Sequence, residues 1–289
     1  MTTSPSPRVH HRFHAFAVAL TVAGTAITFS SAAHAQTAKA ATPTPPLTGT
    51  AEVDAVLDSL RQPDPDKWWE GVGRLNQLFD RDSALLDNPA VYETVVALVR
   101  SETAVIDANF RNGVSTDEGF GEDYSVMLET ATRVLRAGAP DTRRALLAAL
   151  VKAVYNPDSR FAKELASYGE LVVEPALELT HTDMDPDRWN AYAMLGEILR
   201  ADRTHELKVP LATGSAARLR VALRGGLRDP EIVTRRETVN AIVAAEDREA
   251  IPLLKELAAS DPDVGAGLTQ RFSVRALAAA AVEKLQRVR

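Results

Sequence analysis

The chain has 289 residues, of which 45% are apolar, 25% charged and 6% aromatic, and its formal net charge is −6. This composition is typical of a folded protein with a hydrophobic core, and it excludes a fully disordered or collagen-like chain. The absence of cysteine excludes disulfides, thiol catalysis and cysteine-ligated zinc. The acidic balance argues against a nucleic-acid partner, because that affinity rests on neutralising phosphates.

The first 35 residues have the pattern of a secretory signal peptide. Arg8 and Arg12 precede an uncharged apolar run over 15–29, and Ala33 and Ala35 have the spacing of a signal-peptidase site. The run is shorter than the roughly 20 residues that span a bilayer. We expect cleavage after Ala35 and a periplasmic or secreted mature protein. The alternative interpretation is an uncleaved membrane anchor.

The next residues, 36–50, are rich in Ala, Thr and Pro and have no regular apolar period, so we interpret them as a flexible tether. From Ala51 onward apolar residues recur at helical spacing, and no hairpin signal is found. The sequence therefore predicts an all-α domain over 51–289. Its helices are expected near 51–62, 65–80, 89–111, 121–137, 140–154, 158–167, 170–182, 186–201, 203–210, 215–227, 229–246, 248–259 and 268–288.

The predicted helix starts share one motif, a short polar residue followed by proline. Asp or Asn caps the free backbone N–H groups, and Pro suits the first helical position because its missing N–H would be unpaired there. This motif occurs six times, at Asp64-Pro65, Asn88-Pro89, Asn156-Pro157, Asp185-Pro186, Asp229-Pro230 and Asp261-Pro262. Its recurrence indicates a repeated unit.

Over 170–289 the repeat resembles the HEAT-repeat family, most clearly in AIPLLKELAASDPD followed by SVRALAAAAVEKL. The family unit is an antiparallel helix pair with an early Pro in the first helix, an Asp in the turn and an Arg in the second helix. The resemblance implies an α-solenoid of about five or six units. It assigns structural repeat positions to Pro175, Asp185, Arg188, Asp229, Arg235, Arg236, Pro252, Asp261 and Arg275. Residues 264–270 look like an insertion, and 205–214 do not fit the repeat.

The segment 156–169 is also similar to exported bacterial helical-repeat proteins, a resemblance that implies no activity. The arginines at the repeat positions are interpreted as a ladder between units that pairs with the turn aspartates Asp187, Asp229 and Asp261. Trp68, Trp69 and Trp189 are expected to pack against neighbouring helices rather than to meet a ligand.

Two patterns could suggest a metal. The loop over 112–124 places Asp117, Glu118, Glu122 and Asp123 around two glycines, and carboxylates on a flexible loop suit calcium. Their spacing does not match an EF-hand, and acids also favour the next helix start, so a solvated loop is the preferred interpretation. His205-Glu206 begins like a zinc-protease helix but lacks the second histidine. His181 is interpreted as structural.

The sequence contains no nucleophile elbow, phosphate loop or dinucleotide fingerprint, and it predicts no catalytic residue and no cofactor. We expect a non-enzymatic scaffold for a protein or peptide partner. The alternative is a helical enzyme or a metal-dependent polysaccharide-active protein that uses acidic residues. A deep pocket lined by two acids would favour that alternative. Charge is uneven: residues 36–213 have a net charge of −11, whereas 214–289 hold 13 basic and 10 acidic residues. The basic part suits an acidic partner or another copy's acidic face.

Overall fold

The computed structural model describes residues 51–62, 65–112, 122–153, 160–265 and 267–287. These residues form twelve α-helices and no strand. The predicted signal peptide and the predicted tether both lie outside them. The helices are α1 (Ala51–Leu60), α2 (Pro65–Arg81), α3 (Pro89–Arg111), α4 (Glu122–Ala137), α5 (Arg144–Lys152), α6 (Arg160–Ala166), α7 (Glu170–Leu179), α8 (Asp185–Arg203), α9 (Ser215–Gly226), α10 (Ile232–Ala244), α11 (Ile251–Ser260) and α12 (Val274–Arg287).

Consecutive helices pack as six pairs, from α1 with α2 to α11 with α12. The first helices of the pairs contact one another in order from α1 to α9. The second helices contact one another from α2 to α4 and from α6 through α8 and α10 to α12. These contacts stack the pairs side by side, which confirms the prediction of an all-α solenoid. None of the helices in the described ranges is long and apolar enough to cross a membrane.

The core is continuous between the pairs because each helix contributes one apolar face. In α1 the buried face consists of Val53, Val56, Leu57 and Leu60, the residues at helical spacing. Burying one such side chain contributes about 1.5–3 kcal/mol, and stacked pairs bury faces that a single pair would expose. The tightest approach is between α8 and α10, where a Cβ on Gly196 would lie 2.7 Å from the Cα of Ala241.

Several helices start as predicted. Pro65 and Pro89 are the first residues of α2 and α3, and Asn88 Oδ1 accepts the N–H of Ala90 at 2.9 Å. The start of α10 differs, because Glu231 rather than Asp229 is its N-cap.

The α12 helix also starts later than predicted. Asp261-Pro262 precedes a short 3-10 segment over Gly267–Phe272, and α12 begins only at Val274. At α10 a local turn delays the helix, because Asp229 accepts the N–H of Glu231 at 2.9 Å. At α12 the N–H of Val274 donates to Asp263 Oδ2 at 2.9 Å, so Asp263 rather than Asp261 satisfies the start of the helix.

The predicted helix over 203–210 is wrong. After Arg203 the chain turns at His205, whose φ is +59°, and the N–H of Glu206 donates to the carbonyl of Ala201 at 2.8 Å. This is the geometry of a Schellman helix end. Residues 206–212, here called the crossing segment, then pass over the α6–α7 turn without helical structure.

A tertiary contact holds the crossing segment. The N–H of Lys208 donates to the carbonyl of Ser167 at 2.6 Å, and the Lys208 ammonium lies 3.9 Å from the ring centre of Tyr168. A Cβ on Gly169, whose φ is +57°, would lie 1.9 Å from the Val209 carbonyl oxygen. Glycine is therefore required beneath the segment.

Candidate binding surface

The surface where two adjacent second helices meet is here called a seam. Ion pairs lie across most of these seams, near the C-terminal ends of the helices. Such partly exposed pairs add little stability, roughly 0–1 kcal/mol each, but their long side chains cover the surface between the helices. The pairs are Asp80–Arg133 between α2 and α4 (2.7 Å), Arg136–Glu164 between α4 and α6 (2.6 Å), and Arg203–Glu246 between α8 and the turn after α10 (3.2 Å). The hydrogen bond from Arg136 lowers the pKa of Glu164.

The seam between α10 and α12 is open. Among the described residues no ion pair crosses its C-terminal half, and an open groove of about 370 Å³ lies there. Val239 and Ala281 are buried at its floor, whereas Ala280 and Lys284 are exposed. The groove is lined on α10 by Val243 and Ala244 among others, and on α12 by Leu277, Ala280, Ala281 and Lys284. Alanines at these positions leave room for a partner's backbone.

A second depression of about 540 Å³ lies near the N-terminus of α12. Gly267, Gln270, Arg271 and Ala276 line it. Ala276 and Ala280 are one helical turn apart, so one lining alanine of each depression lies on the same face of α12. We call them together the α12 groove.

The loop beside the α12 groove exposes two large apolar side chains. Val264 is 49% exposed and Phe272 is 51% exposed. The guanidinium of Arg271 lies 4.6 Å from the ring centre of Phe272. The predicted insertion over 264–270 therefore lies next to the open surface.

The α12 groove has a cation at each end. Neither Arg271 nor Lys284 forms an ion pair within the described part of the chain. Nearby acids are already paired: Asp247 with Arg224, Asp261 with Arg235 and Asp263 with Arg236, at 2.6–2.7 Å. Part of the excess positive charge of the C-terminal third therefore lies at the two ends of the α12 groove.

The turn residues form contacts between successive pairs. Arg188 of α8 donates to Asp229 in the α9–α10 turn at 2.9 Å, and Arg235 of α10 donates to Asp261 in the α11–α12 connection at 2.7 Å. Asp261 and Arg235 are both almost fully buried. A buried bidentate pair of this kind fixes the orientation of one unit on the next.

The other repeat positions also have local structural contacts. Asp185 is the first residue of α8 and accepts a hydrogen bond from Arg188. Arg275 donates to the backbone carbonyl of Asp261. Pro252 is in the first turn of α11, and Pro175 lies inside α7. Arg236 bridges to Asp263 at 2.7 Å.

Asp187 does not join the arginine ladder, contrary to the sequence interpretation. It is 3% exposed in the first turn of α8, and its Oδ1 atom has no hydrogen-bond partner among the described residues. Burial, together with the negative charge of Asp107, raises the pKa of Asp187 to about 6.

The surroundings of Asp187 form a polar cluster that sequence reasoning missed. Asp107 of α3 pairs with Lys152 of α5 at 2.8 Å. Asn190, one turn after Asp187, is 4% exposed, and both polar atoms of its amide lack a partner in the described structure. The i, i+3 spacing of Asp187 and Asn190 was the available signal, because two polar residues at that spacing share one helix face.

The metal candidates do not form a described site. Asp117 and Glu118 lie outside the described residues, as do the side chains of Glu122 and Asp123, whose backbone begins α4. Across the described ranges no group of three or more His, Cys, Asp and Glu side chains could hold a metal ion.

The histidines and tryptophans have surface and packing positions. His181 and His205 are both exposed. Trp68 is buried, and its indole N–H donates to the carbonyl of Gln62. Trp69 and Trp189 are half-buried.

No protein-family model matches the chain, and no curated protein matches it. Two designed armadillo repeat proteins are similar among solved structures. One, in complex with the peptide (KR)4, is 17% identical, with 81% of this chain and 100% of that chain covered and a TM-score of 0.38. The other is 15% identical, with 81% and 100% covered and a TM-score of 0.37. An engineered protein is 12% identical, with 82% and 97% covered and a TM-score of 0.39. TM-scores this low carry no argument about the fold. The helix packing described above is what identifies the described domain as an all-α stack of six helix pairs.

Proposed function

We propose that the chain is a non-enzymatic scaffold that binds a protein or peptide partner in the α12 groove. The observation that carries this proposal is the open, largely apolar seam between α10 and α12, next to the α8–α10 seam that the Arg203–Glu246 pair covers. Apolar grooves between helices are a recurring mode of peptide recognition. Neither part of the α12 groove is lined by a carboxylate, which favours binding over the alternative of chemistry by acidic residues.

We further propose that the unit is of the HEAT type and that the chain is exported. The supporting observations are the early Pro252 in α11 and the arginine contacts between turns, together with the N-terminal signal pattern. N-terminal sequencing of the protein from the envelope or medium should begin at Gln36. A mature chain that starts at Met1 in the cytoplasm would contradict export.

Peptide selection tests the binding function. The full chain is used to select peptides from a phage-displayed library, and the dissociation constants of the selected peptides are measured for two variants. Ala280→Arg places a long side chain in the groove. Ala279→Arg is the matched control, because Ala279 is the adjacent exposed alanine on the same helix but does not line the groove.

Selected peptides should bind the wild type and Ala279→Arg equally and bind Ala280→Arg at least about 10-fold more weakly. Circular dichroism of both variants checks that the helices are retained. Failure to select any peptide, or equal binding to both variants, would refute the groove as the binding site.

A further inference from the structure

We infer that the partner segment is an acidic amphipathic helix lying along α12, with carboxylates near both ends of the α12 groove. This inference rests on the proposed binding function and specifies its partner. It follows from three features of the groove: the cations at its ends, the distance between these ends, and the small side chains between them.

The cations set the charge of the partner. Lys284 lines the groove at one end and Arg271 at the other, and neither has a carboxylate partner within the described residues. Elsewhere in the C-terminal pairs Arg224, Arg235 and Arg236 are already neutralised by aspartates. An incoming carboxylate would therefore meet an unpaired cation without first having to break an ion pair.

The length of the groove sets the spacing of the partner's acids. Eight residues separate Ala276, in the Arg271 depression, from Lys284. At a rise of 1.5 Å per residue they span about 12 Å. A partner helix that follows this path would present acids about two to three turns apart.

The small side chains favour a helix. Ala244, Ala280 and Ala281 keep the surface between the cations low, so that the ridge of a third helix can lie against the α10–α12 pair. Val243 and Leu277, both half-buried, offer apolar contact on either side. A helix with a narrow apolar stripe fits this profile, and its acids would be placed at the borders of the stripe.

The test uses two synthetic, fluorescein-labelled peptides of about 20 residues with the same Ala/Leu stripe. In one peptide the flanking positions are Glu, and in the other they are Lys. Binding to the full chain is measured by fluorescence anisotropy at low and high salt. The variants are Lys284→Glu, Arg271→Glu and Ala280→Arg. The charge-matched control is Lys255→Glu, because Lys255 is exposed on α11 outside the groove.

The acidic peptide should bind at least about 10-fold more tightly than the basic one, and less tightly at high salt. Lys284→Glu and Arg271→Glu should each weaken it about 5-fold, whereas Lys255→Glu should have no effect. Ala280→Arg should also weaken the acidic peptide although it adds a positive charge. An added positive charge alone would strengthen binding of the acidic peptide, so weaker binding is explained only by occlusion of the groove.

Equal binding of the two peptides, or a Lys255→Glu effect as large as that of Lys284→Glu, would overturn the inference. If library-selected neutral or basic peptides bind and Ala280→Arg blocks them, the acidic partner is wrong but the binding function stands. If no peptide of any kind binds, both fail. Self-association in sedimentation experiments that Ala280→Arg abolishes would instead identify a second copy as the occupant, and would overturn the inference of a partner helix.

Discussion

Replacing Asp229 with alanine should cost far more stability than an ordinary surface change. Asp229 Oδ2 lies 2.9 Å from Arg188 Nε, and the two side chains are only 7% and 11% exposed. The substitution removes the carboxylate from a nearly buried guanidinium and also frees the backbone N–H of Glu231. Breaking a buried pair costs about 3–5 kcal/mol. Arg188 retains Asp185 and the carbonyl of Thr182, so we expect a loss of about 2–4 kcal/mol.

Urea unfolding followed by far-ultraviolet circular dichroism measures this loss, with the slope checked for a change in cooperativity. Glu52→Ala is the control, since the Arg81–Glu52 pair is 44% and 42% exposed and should contribute at most about 1 kcal/mol. If Asp229→Ala were no more destabilising than Glu52→Ala, the contact between units would carry little of the stability, and the reasoning would be refuted.

Three further changes test other parts of the fold. Leu254→Ala removes a fully buried side chain and should cost about 2–5 kcal/mol in urea unfolding; a neutral result would show that this face of α11 is misplaced. Asp187→Asn should be up to about 3 kcal/mol more stable than the wild type at pH 8 and equal to it near pH 3. The folded state raises the pKa of Asp187 from 3.8 to about 6, so the wild type loses stability as the pH rises and the buried carboxyl ionises. Equal urea midpoints at pH 8 would contradict this prediction. His205→Gly should raise the free energy of unfolding by about 1 kcal/mol, since glycine adopts the positive φ without strain; a lower melting temperature would argue against this.

Most of the helical architecture could be predicted because its determinants are local. The predicted helix over 89–111 has the bounds of α3, where an Asn-Pro start and a continuous apolar period agree. The failure over 203–210 has a tertiary cause. Val209 and Leu211 are apolar at alternate positions, but they pack as an irregular segment that is held by the backbone of Ser167. No local pattern encodes that contact.

The α12 groove could be predicted only in part. The basic surplus of the C-terminal third is visible in the sequence, but which cations remain unpaired depends on contacts between residues far apart in the chain, such as Arg235 with Asp261. The position of Asp187 was misinterpreted for a similar reason. The Asp185-Pro186-Asp187 motif resembles a turn in the sequence. In the structure α8 starts at Asp185, so Asp187 lies in the first turn of the helix and is buried near Asp107.

The crossing segment has a consequence for how the stack comes apart. In a repeat array each unit ordinarily couples only to its immediate neighbours, so opening can begin at any interface. Here the connection between the fourth and fifth pairs is hydrogen-bonded to the connection between the third and fourth pairs, at Ser167. The middle of the array should therefore open as one cooperative block, and partial unfolding should be concentrated at its ends. The last pair, whose helix α12 forms one wall of the α12 groove, lies outside that block and is held to the fifth pair by the buried Arg235–Asp261 contact.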